Sequence, residues 1–180
     1  MLLKSIKILL YCIPLSLLIF TTNALHGFII PKLALFEVLT AAALTLWLIL
    51  VLKEPRLRPT ITSTFLALSA FVLVAIAAAA FGVNPSQSFW SIPERGIGVV
   101  ALISCWMLFT VLRSMLPEID LRRYLTWNVA IGVAISLGVF LQPLLVAAER
   151  AGSFLGNPAF TASYLAILIP IALYTIRLYP

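Results

Sequence analysis

"LALFEVLTAAALTLWLILVL", Leu33 to Leu52, is an unbroken apolar run in which Glu37 is the single ionisable side chain. A bilayer core about 30 Å thick is crossed by about 20 apolar residues in helical form, so this segment reads as a transmembrane helix. The run is continuous and lacks the alternation of a membrane barrel strand, which favours helix over strand. Outward from 33–52, runs of the same kind cover about 8–25, 62–81, 96–112, 124–146 and 159–176. The expected architecture is therefore an all-α integral membrane protein of about six spans, with residues 1–180 forming one polytopic membrane domain. Composition agrees. Of 180 residues, 63% are hydrophobic and 10% charged, with a mean hydropathy of +1.14, whereas soluble domains hold roughly 45 to 50% apolar residues. Pro14, Pro143 and Pro170 fall inside expected spans and should kink them.

The net charge of +6 comes from dispersed basic residues, which argues against a nucleic-acid surface and for orientation in a membrane. Lys4 and Lys7 precede the first span. Lys53, Arg56 and Arg58 follow the second, Arg113, Arg122 and Arg123 the fourth, and Arg177 the sixth. Nine of the twelve Lys and Arg thus fall on one side, leaving Lys32, Arg95 and Arg150 on the other. By the positive-inside rule the N-terminus is cytoplasmic. Lys4, Lys7, the apolar stretch and Thr22-Asn23-Ala24 also fit a cleavable signal peptide over residues 1–24; the charge ladder holds with the segment retained as span one. Cys12 and Cys105 lie in spans and read as small packing residues, not as a disulfide or metal pair.

Two outward loops carry the concentrated polar chemistry: "FGVNPSQSFWSIPERGIG", Phe81 to Gly98, and "AERAGSFLGNPAF", Ala148 to Phe160. Each holds an Asn-Pro, a Glu-Arg pair and glycines. In the first, Ser91 and Glu94 have capping-box spacing, which starts span four near Ile92. Arg95 then either snorkels beside Glu94, with Phe89 and Trp90 as interfacial aromatics, or binds a ligand. In the second, Asn157 is a suitable N-cap and Pro158 suits the first helical position. Free amides at such a helix start favour an anion. Arg150 could add a bidentate guanidinium, and Gly152 and Gly156 would allow close backbone approach. The plainer alternative is a capped turn with an interfacial Glu149–Arg150 pair. Glu37, inside span two, is costly unless paired; Lys32, Arg95 or Arg150 could pair with it, giving a structural ion pair or a proton relay. His26 reads as a loop histidine.

Some chemistries are argued against by what the sequence lacks. Asp120 is the single Asp and falls on the cytoplasmic side, so no paired acidic motif holds a metal with a nucleotide sugar. There is no P-loop, dinucleotide fingerprint, metal-ligand cluster or serine elbow. The pattern R-x6-N-P-x3-A-x-Y-L, carried by Arg150, Asn157, Pro158, Ala162, Tyr164 and Leu165, resembles the signature region of the O-antigen ligase and O-antigen polymerase superfamily of bacterial membrane proteins. The upstream "GVNPSQSFWSIPERGIG" is similar to the loop that precedes this region in such proteins, so the resemblance runs from about residue 60 to 176. Two positions depart from the pattern: glycine follows the arginine at the second place, Gly152, not the third, and Ala159 stands where Asn is frequent.

The resemblance implies a partial C-type membrane glycosyltransferase fold in the bacterial inner membrane, multi-pass, acting at the periplasmic face. The donor would be a glycan on undecaprenyl pyrophosphate and the acceptor the lipid A core, another glycan or a protein, without metal or cofactor. Arg150 would contact the pyrophosphate, with Arg95, Asn157, Gly152 and Gly156 as further substrate-binding residues and Glu37 and Glu149 as supporting acids that ion-pair with the basic residues. The resemblance also implies that this chain is the N-terminal part of a longer protein, with the general-base histidine on a later loop, so no catalytic residue is assigned within 1–180. Two readings from other classes stand beside it. One is a transporter, such as an inorganic-carbon uptake component, with Glu37, Asn128 and Gln142 along a path. The other is a noncatalytic scaffold associating through Gly132, Ala134 and Gly138.

The charge ladder makes a direct prediction. A phosphatase that is active only outside the cytoplasm should be active when fused after Gln87 or Leu155 and inactive after Arg58 or Arg123. The opposite pattern would reject the orientation.

Overall fold

The computed structural model describes residues 1–21, 27–92, 97–145 and 152–178. Among them there are helices and no strand: α1 (Leu2–Cys12), α2 (Ile30–Lys53), α3 (Ser63–Ala80), α4 (Pro85–Trp90), α5 (Val99–Met115), α6 (Leu121–Leu145) and α7 (Pro158–Arg177). Short 3-10 turns lie at Ile13–Leu18, Pro55–Leu57, Leu116–Glu118 and Ser153–Leu155. Five helical segments are long and apolar enough to cross a membrane: Ile30–Lys53, Ser63–Ala80, Val99–Glu118, Leu121–Gln142 and Pro158–Arg177. They correspond to the spans expected at 33–52, 62–81, 96–112, 124–146 and 159–176. The chain is an all-α membrane protein.

The span expected at 8–25 is not among the five. The first helix begins at Leu2 and gives way after Cys12 to the 3-10 turn. Pro14 is the physical cause. It has no N–H to give the Leu10 carbonyl in an α pattern or the Tyr11 carbonyl in a 3-10 pattern. The indole Nε1 of Trp127, on α6, donates to Tyr11 O at 2.8 Å and satisfies it. Tyr11 and Tyr124 meet edge to face beside this bond, with centroids 5.5 Å apart. A kink residue thus becomes the docking point of α1 on α6.

The capping box expected at Ser91 does not form at the start of a long helix. Asn84 caps α4 instead, accepting from Gln87 N at 3.2 Å while its amide donates to Gln87 Oε1 at 3.0 Å. With α4 nucleated there and Pro85 in its first turn, Ser91 closes the helix from the left-handed region, φ 68°, donating to Gln87 O at 2.8 Å. An N-cap needs an extended backbone, which Ser91 does not have. Membrane helix α5 starts at Val99, behind Gly98; Glu94 lies outside the described residues.

The tightest core lies where α1, α2 and α5 meet, formed by Ile6, Leu10, Ala43, Trp47, Leu50, Val111 and Met115. Trp47 Nε1 donates to Ser114 Oγ at 2.7 Å, and Ser114 Oγ donates in turn to the Leu57 carbonyl. This relay pins the Pro55–Leu57 turn under the bundle. Around it, Arg56 pairs with Glu54 and Glu118, each at 3.0 Å, Arg123 pairs with Asp120 at 3.1 Å, and Arg113 bonds both oxygens of Thr60. One end of the bundle is therefore rich in arginines with partners. Helix α3 rides on α5 through Trp106 Nε1 to Ser69 Oγ, 3.0 Å. Helix α7 lies on α6 at Gly132, where any Cβ would overlap the Leu168 side chain.

Because Trp47 and Ser114 act as a relay, their removal should be non-additive. Trp47→Phe and Ser114→Ala should each lower stability in detergent, and the double variant should fall short of their sum by about 1 kcal/mol, the net worth of one buried hydrogen bond. Strict additivity in reversible unfolding would show that the relay contributes nothing.

Candidate functional site

The opposite end of the bundle gathers α2's first turn, the end of the Ile13–Leu18 turn, the Ser153–Leu155 turn and the start of α7. Lys32 joins them. Its Nζ donates to Ile19 O and to Phe154 O, both at 2.6 Å, and stands 5.6 Å from the centroid of Phe28. A cation in the first turn of a helix opposes the macrodipole by roughly 0.3–1 kcal/mol, so local preference does not place Lys32 there. Carbonyls at the ends of 3-10 turns lack donors of their own. The two charge-assisted bonds supply them and tie chain positions more than a hundred residues apart.

The Ser153–Leu155 turn is held from below as well. Ser153 N donates to Gln142 Oε1 at 2.7 Å and Ser153 Oγ to Ile135 O at 2.8 Å. These bonds hold Ser153 at φ 50°, a left-handed conformation costing of order 1 kcal/mol for a non-glycine. Thr161 Oγ1, from the first turn of α7, donates to Gly152 O at 2.8 Å. The loop is thus bound to both helices it connects.

Asn157 caps α7 as expected, its Oδ1 accepting from Ala159 N at 2.8 Å with Pro158 in the first helical position. Gly156 closes the preceding turn at φ +74° and Gly152 folds against the Gly156–Asn157 backbone. The clearance expected at these glycines for a ligand is taken up by the chain itself. A Cβ on Gly156 would lie 2.5 Å from Phe28 Cγ, and one on Gly152 2.6 Å from the Gly156 carbonyl carbon.

Glu37 lines a groove of about 310 Å³ with Leu33, Ala34, Trp90, Ser91 and Ile92. Among the described residues it has no ion-pair partner, because Lys32, expected nearby, spends its bonds on the two carbonyls. Arg95, Glu149 and Arg150 lie outside the described residues, as do Glu94 and His26. Ile92 and Ile97 flank residues 93–96, and they line the Glu37 groove and the cavity beside Lys32 respectively.

The other in-span polar groups have local partners. Asn128 Nδ2 donates to Tyr124 O at 2.8 Å and Gln142 accepts from Ser153, so neither is directed along a common path. Gly138 sits under Ser153 and Phe154 as Gly132 sits under Leu168, so these small residues serve packing within the chain. Cys12 and Cys105 are free thiols, and no group of His, Cys, Asp and Glu suited to a metal occurs among the described residues. No protein family, curated protein or solved structure matches this chain.

Sequence reasoning offered Lys32 as one of three candidate partners for Glu37 and missed its two carbonyls. The signal was present, since a lysine directly after Pro31 at a helix start runs against the dipole. Its partners were not legible, because both are backbone carbonyls and Phe154 lies 122 residues away in sequence.

Gly156→Ala should destabilise the protein through both its positive φ and its overlap with Phe28, by about 1–3 kcal/mol. In a Phe28→Ala background the same change should cost less, because only the conformational part remains. An equal cost in both backgrounds would show that the Phe28 contact is not what requires glycine.

Proposed function

We propose that this chain is the membrane-embedded part of a glycan ligase or polymerase, taking a glycan from undecaprenyl pyrophosphate at the outer face of a bacterial inner membrane. The reading is carried by the ordered pair of loop motifs, "GVNPSQSFWSIPERGIG" before Arg150-x6-Asn157-Pro158-x3-Ala162-x-Tyr164-Leu165. It is supported by the Asn157-capped start of α7 at the Lys32 end of the bundle, away from the paired arginines. In this reading the N-terminus is cytoplasmic and the fold is a partial C-type glycosyltransferase fold.

The chemistry asked of these residues is electrostatic. An acceptor hydroxyl, losing its proton to a general base not assigned within residues 1–180, attacks the anomeric carbon and forms the new C–O bond as the bond to the pyrophosphate oxygen breaks. The electron pair leaves on the pyrophosphate. Donors aimed at that developing charge lower the barrier. Arg150 is the contact of choice because its planar fork matches two phosphate oxygens, with Arg95 as a second cation. Glu149 and Glu37 would orient the cations, and the first-turn amides of α7 would add a fixed positive field. Gly152 and Gly156 would then act by shaping the loop, which follows from their tight packing, and less by direct contact.

In the gene product at its natural length, Arg150→Ala should reduce transfer from a lipid-linked glycan about 10²–10³-fold, the usual cost of one transition-state donor. Arg150→Lys should recover only part of the loss. Wild-type transfer by Arg150→Ala would remove that residue from the mechanism.

A further inference from the structure

Lys32 presents a second problem beyond its role as a clasp. It is the one basic residue among the described residues at its end of the bundle, it is half-buried, and no acidic side chain among the described residues pairs with it. Two carbonyl dipoles stabilise an ammonium, but they do not neutralise it, and its third N–H has no described acceptor. A cation at the level of a membrane surface with no acid described against it favours an anion.

Beside the ammonium lies a cavity of about 320 Å³ lined by Ser16, Phe28, Leu33, Phe36, Leu155 and Phe160. Apart from Ser16 and Lys32 itself, its walls are apolar. At roughly 30 Å³ per water-sized group it has room for on the order of ten methylenes. Phe28 forms one wall and also faces the ammonium, so the charged and apolar parts are continuous.

A cation next to a chain-sized apolar cavity is the complement of an anionic amphiphile. We infer that Lys32 and this cavity form a site for one anionic phospholipid, with the phosphate against the Lys32 ammonium and part of an acyl chain between Phe28, Phe36 and Phe160. The occupant is a resident of the surrounding membrane and not the glycan donor. The site does not depend on the proposed transfer reaction, since it uses neither Arg150 nor Arg95. Binding would close the contact between α2, the Ser153–Leu155 turn and α7, so the lipid should also stabilise the fold.

The test uses the whole chain purified in neutral detergent and titrated with phosphatidylglycerol or phosphatidylcholine, with bound lipid counted by native mass spectrometry. One phosphatidylglycerol should be retained per chain at least tenfold more strongly than phosphatidylcholine. Lys32→Met should abolish that preference, and Lys32→Arg should keep it. Because Lys32→Met also cuts the clasp, Leu155→Trp provides an independent test. It fills the cavity, leaves Lys32 in place, and should lower phosphatidylglycerol retention to the phosphatidylcholine level at unchanged helix content. Equal retention of the two lipids, or a preference that survives both Lys32→Met and Leu155→Trp, overturns the inference. So does displacement of phosphatidylglycerol by equimolar undecaprenyl phosphate, which would assign the cavity to the donor. None of these readouts involves glycan transfer, so the lipid site and the transferase reading can fail separately.

Discussion

A membrane interior offers backbone groups no water, so every N–H and C=O at that depth must find a partner inside the protein. The five long helices meet this demand along their lengths. The irregular stretches do not, and the polar side chains of this apolar chain are placed where the regular ladder stops. Trp127 takes the Tyr11 carbonyl left by Pro14. Ser114 takes that of Leu57, and Lys32 takes those of Ile19 and Phe154. Each of these bonds also joins two elements distant in sequence. Satisfying an orphaned carbonyl and holding the bundle together are, in this protein, the same act.

The two ends of the bundle solve the problem differently. At the arginine-rich end, Arg56 and Arg123 find carboxylates and Arg113 finds Thr60, while nine Lys and Arg against Glu54, Glu118 and Asp120 keep that end net positive. At the other end, Lys32 has carbonyl dipoles and an aromatic face but, among the described residues, no acid paired with it. The excess of basic residues at the arginine-rich end is what orients the chain in a bilayer. The proposed donor site and the inferred lipid site draw instead on individual cations at the other end, Arg150 for the first and Lys32 for the second.

The glycines show how far a local reading reaches. Gly152 and Gly156 stand in the loop where close approach was expected, and close approach is what they permit. The approaching atoms belong to Phe28 and to the loop's own backbone. Gly132 and Gly138, candidates for association with another chain, serve the same purpose toward α7 and the Ser153–Leu155 turn. A glycine records that something passes nearby, and a single sequence does not record what.

Hydropathy and periodicity alone determined the all-α membrane class, five of the six expected spans and the Asn157 cap, because each depends on residues adjacent along the chain. The break at Pro14 was legible as a kink, but its outcome was not. Where the N-terminal helix breaks and what it packs on depend on Trp127 and the core around Leu10. Ser91 shows the same limit: its spacing to Glu94 fits a capping box, yet the earlier Asn84–Pro85 start of α4 takes the backbone conformation that cap requires. The role of Lys32 was decided by tertiary structure alone, because its partners are carbonyls, identical in every residue and invisible to any side-chain pattern. Only the packing of α2 against two distant 3-10 turns brings Ile19 and Phe154 within reach of that ammonium.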